Sequence, residues 1–138
     1  MVFARIDAVL TWVYVVGFGV TAIPIAAYHV ATGRLPTFFG LFTVYGGRWS
    51  DQFAPPMFAG LLVAFAVTTL VVGFAAWLLW QGWRIGAVLS LATLPVEAVF
   101  WIGFDLPIPW IVAAARIVFA ILAWGSLASA TTSAHAAG

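Results

Sequence analysis

With 138 residues, 65% of them hydrophobic and 7% charged, the chain lacks the polar surface of a soluble domain of its size. A net charge of +1 points to neither nucleic acid nor an acidic surface as a partner. The absence of cysteine removes disulfides, thiolate catalysis and cysteine-metal sites together.

Lysine and asparagine are also absent. Both use A/T-rich codons, so a GC-rich bacterial genome is expected. The mean hydropathy is +1.15. Crossing a bilayer takes roughly 20 helical residues, and four stretches qualify, at about 6–30, 56–80, 85–104 and 108–127. The connections use nearly everything else, which leaves a small-residue tail at 128–138. The expected fold is all-α, a polytopic membrane protein with a single transmembrane domain over 1–138. Its architecture is a four-transmembrane-helix bundle with a long aromatic-rich first loop.

The first segment could be read as a signal peptide, with Arg5 ahead of it and Ala26-Ala27 as a cleavage site. Its apolar run exceeds the usual signal core of about 7–15 residues. Asp7, Tyr14 and Thr21 also recur on a helical period, which a disposable leader does not need. A retained helix is therefore expected. Tyr14, Gly17, Thr21, Pro24 and Tyr28 share one narrow arc, a packing face with a polar seam. Pro24 should kink the helix and free a carbonyl.

The connection from Ala31 to Pro55 is the one long loop. Phe38, Phe39, Phe42 and Tyr45 follow Pro36 with a rough helical spacing, which suggests a short interfacial helix or re-entrant segment. An aromatic belt at the headgroups is the plainer reading, and a lid over a cavity the sharper one. Pro55-Pro56 suits the opening turn of the second segment. There Gly60, Ala64, Thr68 and Ala75 form a small-residue face suited to close helix approach. Trp77, Trp80, Trp83 and Arg84 mark a membrane–water boundary, and Gln81-Gly82 turns the chain.

In the third segment Ser90, Thr93, Glu97, Trp101 and Asp105 make a polar stripe spanning roughly 120°. Pro95 interrupts the hydrogen-bond ladder near Glu97. The fourth segment sets Ala113, Arg116, Ala120 and Ala123 on one face. Counted from the turn at Leu106-Pro107, Glu97 and Arg116 both lie roughly 10–12 Å deep at 1.5 Å per residue. A bidentate ion pair is the expected consequence.

That pair has a plain use and several sharper ones. It could lock two helices together. Alternatively Tyr14, Tyr28, Ser90, Thr93, Glu97, Trp101 and Arg116 could line a ligand cavity, with His29, Arg34, Arg48 and Asp51 near its mouth. The preferred expectation is binding of a lipophilic small molecule or lipid, or service as an accessory subunit of a membrane complex. The alternative is an enzyme using Glu97 as general acid on an isoprenoid or lipid, with Asp105 as second group. A proton-coupled exporter acting as a dimer comes third. No cofactor is expected, and His29 and His135 stand too far apart for a metal site. The expected partners are the lipid bilayer, a lipophilic ligand, and a second copy or larger complex. Arg5, Arg84 and the α-amine share one side, which orients both termini to the cytoplasm in a multi-pass cell-membrane protein.

Overall fold

A computed structural model describes residues 1–128. The expected tail and its His135 lie outside the described residues. In chain order the elements are helix α1 (Val2–Thr32), strands β1 (Thr37–Phe38) and β2 (Phe42–Thr43), and a short helix α2 (Arg48–Gln52). Then come α3 (Pro55–Trp80), α4 (Arg84–Gly103) and α5 (Ile108–Ala123), the last extended by a 3-10 turn, Trp124–Ser126. The long helices α1, α3, α4 and α5 are the four that have the length and apolarity to cross a membrane. Together they suggest a multi-pass membrane protein.

Helix α1 begins earlier than hydropathy alone implies, because Arg5 lies over the Trp80 ring at 5.2 Å. Within it Val15–Val20 forms a π segment. Pro24 has no N–H to return to the carbonyl of Val20, where that segment ends. Two side chains satisfy the carbonyls that the wide turn opens. Thr21 Oγ1 donates to Gly17 O at 2.6 Å, and the Tyr45 hydroxyl donates to Phe18 O. The extra residue per turn rotates the downstream face. Tyr14 consequently points inward, whereas Gly17, Thr21, Pro24 and Tyr28 are exposed.

The first loop departs from its expected form. A two-residue hairpin, with Thr37 opposite Thr43, replaces the short aromatic helix. Gly40 takes φ 71 at its tip, and the β-branched threonines that pair beside it favour extended backbone. The rest of the loop plugs the bundle. Tyr45 is buried edge-on to Phe104, and Trp49 of α2 packs against Phe100 and Phe104. Phe39 and Leu41 project outward. The loop is thus part insertion and part fringe.

Helix α3 packs against both α1 and α4, and α1 packs against α5. Its inward face carries Phe58, Leu62, Phe65, Thr69, Val72 and Leu79. The small-residue face is placed differently from expectation, since Gly60 and Ala64 are exposed and only Ala75 is buried. Bulky side chains are needed to fill the loop end of the interior, so the small ones turn outward. Helix α4 breaks at Thr93 ahead of Pro95. Asp105, with φ 53, then makes the turn into α5.

Two apolar clusters result. One, at the loop end, contains Tyr14, Phe58, Phe65, Trp101 and Phe104. The other contains Ala4, Ala8, Ala76, Leu79, Ala87, Ala120 and Ala123, small residues that let helices approach closely. The chain start, the α3–α4 turn and the end of α5 meet beside the second cluster. There Met1 N donates to Ser126 Oγ at 3.0 Å, and Gly82 and Arg84 exchange backbone hydrogen bonds with Ala128. Between the clusters lies a band of buried polar side chains.

Candidate functional site

Among the described residues seven polar or charged ones are buried, and six of them occupy that band or its edge: Asp7, Thr11, Thr69, Ser90, Glu97 and Arg116. Helix α4 supplies Ser90 and Glu97 two turns apart on its inner face, and α5 brings Arg116 opposite them. Arg116 and Glu97 have no exposed surface. Nη1 of Arg116 donates to both carboxylate oxygens, at 3.1 and 3.0 Å, in a bidentate pair. Nε donates to Ser90 Oγ at 3.2 Å, and Nη2 reaches Ser90 O and Oγ at 2.6 and 2.9 Å. These contacts engage all three guanidinium nitrogens.

The break in α4 makes this set possible. A carbonyl in an unbroken helix is committed to its own ladder, whereas the Ser90 carbonyl accepts from Arg116 beside the Thr93 break. Thr93 Oγ1 lies 2.9 Å from both Glu97 Oε1 and Ser90 O, so its single proton serves one or the other. Trp101 Nε1 donates to the Tyr14 hydroxyl at 2.9 Å, tying α4 to α1 above the ion pair. Desolvation of an ion pair is repaid only with good geometry and further hydrogen bonds, and both are present.

The expected residues divide. Tyr14, Ser90, Thr93, Glu97, Trp101 and Arg116 come together. Tyr28 does not, being 47% exposed on the outer face of α1. Asp105 is exposed at the α4–α5 turn, away from the sealed pair. His29 is buried beneath the loop against Phe58 rather than standing at a mouth with Arg34, Arg48 and Asp51, which are exposed. Sequence reasoning missed Asp7 as a member of the site. Asp7, Thr11 and Tyr14, at i, i+4 and i+7, follow the same helical period that singled out the stripe on the third segment. Asp7 is fully buried, its Oδ1 accepts from Thr11 at 3.4 Å, and Arg116 acts on it electrostatically.

Two cavities lie elsewhere, at the loop end. One, of about 440 Å³, is bounded by Gly17, Phe18 and Thr21 of α1, Thr43–Gly46 of the loop, and the Asp105–Ile108 turn. Burial pushes the Tyr45 phenol up to about 12, so it stays a neutral donor at the base of this cavity. A second cavity of about 320 Å³ shares Asp105, Leu106 and Pro107 with the first and adds Arg48, Trp101 and Trp110. Neither Glu97 nor Arg116 lines either one. Among the described residues no group of three or more His, Asp or Glu side chains is placed to hold a metal ion. No protein family, curated protein or solved structure matches this chain.

Proposed function

We propose that the chain is a multi-pass membrane protein that binds a lipophilic small molecule or a lipid at the loop end of its bundle. Large apolar side chains such as Val13, Leu70, Val99 and Ile111 cover the outside of the four long helices, while Asp7, Glu97 and Arg116 are inside. That inverted distribution supports insertion in a bilayer. The observation that carries the binding reading is the 440 Å³ cavity. Its size suits a small ligand, and it is mostly apolar with a few convergent polar groups. Phe18, Leu106 and Ile108 would hold an apolar body. Asp105, Thr21 and Thr43, with Arg48 in the adjoining cavity, would take a polar end. The sealed ion pair weighs against Glu97 as a general acid, because an acid catalyst must reach its substrate.

Gly17 offers a direct test. Gly17 lines the cavity and a Cβ there meets nothing within 4 Å, so Gly17→Leu should add bulk at its wall. Native mass spectrometry of the detergent-solubilised protein against a panel of lipids and lipophiles should show a species that the natural protein retains. Gly17→Leu should weaken that binding at least about tenfold, equivalent to 1.4 kcal/mol. Equal retention by both proteins, or no retained species, would defeat this reading.

A further inference from the structure

The geometry points to Asp7 as an intramembrane proton-binding site, the carboxylate holding one proton as a neutral acid between α1 and α5. The inference is independent of the loop-end cavity and rests on a count of charges and donors. The buried band contains two carboxylates, Asp7 and Glu97, and one guanidinium, Arg116. Each nitrogen of that guanidinium bonds Glu97 or Ser90, and none bonds Asp7. Asp7 is left with one long hydrogen bond from Thr11, and its Oδ2 has no partner.

Among the described residues no other group compensates it. Helix α3, which packs against α1, contains no titratable residue along its length. Helix α5 contributes Arg116 alone, already paired with Glu97 of α4. On α1 itself Arg5 is exposed over Trp80, and the Tyr14 hydroxyl accepts from Trp101 and interacts with Glu97. A buried carboxylate without its own counter-charge neutralises by taking a proton rather than bearing the desolvation cost. A metal ion is a poor alternative occupant. Sodium or calcium would need several oxygen ligands, and among the described residues no group of three or more His, Asp or Glu side chains is placed to hold one. Taking up the proton converts one carboxylate and one hydrogen ion to a carboxylic acid, which leaves the interior electrically balanced.

The test is infrared spectroscopy of the full chain in lipid at neutral pH, with isotope-labelled aspartate. The aspartates are Asp7, Asp51 and Asp105, and the last two are exposed. In the protein carrying Asp51→Asn and Asp105→Asn, Asp7 is therefore the only labelled side chain. The expected result is a protonated carboxylic-acid band that shifts with the label and vanishes in Asp7→Asn. A spectrum from the Asp51→Asn, Asp105→Asn protein showing only labelled carboxylate, with no labelled acid band, would overturn the proposal. This reading does not depend on whether Asp7→Asn itself folds.

Discussion

Arg116 pairs with Glu97 and has a second carboxyl group, Asp7, nearby, so its substitution should have a different outcome from that of Glu97. Arg116→Leu strands Glu97 and removes the one cation near Asp7, so it should cost roughly 3–5 kcal/mol of stability. Glu97→Leu should cost less, because Asp7 remains to balance the guanidinium once its proton leaves. The double variant should recover much of the Arg116→Leu loss. Reversible denaturant unfolding in mixed micelles would measure the set, and strictly additive values would mean that the two side chains act separately. Glu97→Gln keeps the shape and the bonds from Arg116 and Thr93. It should fold and still bind the loop-end ligand, whereas a folded protein that had lost binding would put the carboxylate back into the function. Much of this site was legible in the sequence. Matched depth about the Leu106-Pro107 turn brought Glu97 and Arg116 together, and polar spacing gathered Ser90, Thr93 and Trp101. The donor count was not legible, because it depends on the Ser90 carbonyl reaching Arg116 beside the break at Thr93. Asp7 was legible by spacing yet stood out less, being near a chain end where charge is ordinary.

The elements are held by close approaches that a single methyl group can probe. On α1, a Cβ at Gly19 would fall 1.9 Å from Thr69 Oγ1, inside the π segment where α1 crosses α3. Thr69 already donates to Ala66 O at 2.7 Å and is fully buried, so it has nowhere to go. Gly19→Ala should therefore destabilise by about 1–3 kcal/mol, the usual cost of overpacking. Gly73→Ala is the internal control. Its Cβ would sit 3.6 Å from Val15, an ordinary contact, and alanine is the better helix former by about 0.5–1 kcal/mol. Thermal unfolding should thus move down for the first and stay level or rise for the second. If Gly19→Ala leaves it unmoved, α1 and α3 are not so closely packed. Sequence periodicity located all four long helices, and Pro24 and Pro95 marked interruptions, but one helical period was carried through each of them. A projection at 100° per residue carries Tyr14's face on to Tyr28, and the π segment breaks that continuity. Likewise the aromatic spacing of the loop mimicked a helix, while Gly40 and the paired threonines decided for a hairpin. Local turn chemistry outweighed periodicity in a stretch too short to express it.

At the scale of the whole molecule, the packing divides the arginines between the two ends. Arg5 and Arg84 lie over Trp80 and Trp124, beside the joined chain start and α5 end, and Arg34 and Arg48 belong to the first loop. An arginine lying on a tryptophan ring suits a headgroup boundary, where an amphipathic ring and a hydrated cation are both at home. With four spans, Gln81 in the α3–α4 turn and Asp51 in the first loop must face opposite sides of the bilayer. Both residues are exposed, and the chain has no native cysteine to interfere. Gln81→Cys and Asp51→Cys can therefore be treated, one at a time, with an impermeant thiol reagent in intact cells and again after permeabilisation. Asp51→Cys should label in intact cells and Gln81→Cys only after permeabilisation, with both termini in the cytoplasm. The reverse pattern would keep the four spans and invert the orientation, which the near-equal arginine numbers leave as a small energetic difference. Labelling of both positions from one side is the outcome that the bundle cannot accommodate. It would require α3, the helix between the two positions, to lie along the membrane, and that would withdraw Phe58, Leu62, Phe65 and Thr69 from the interior they fill.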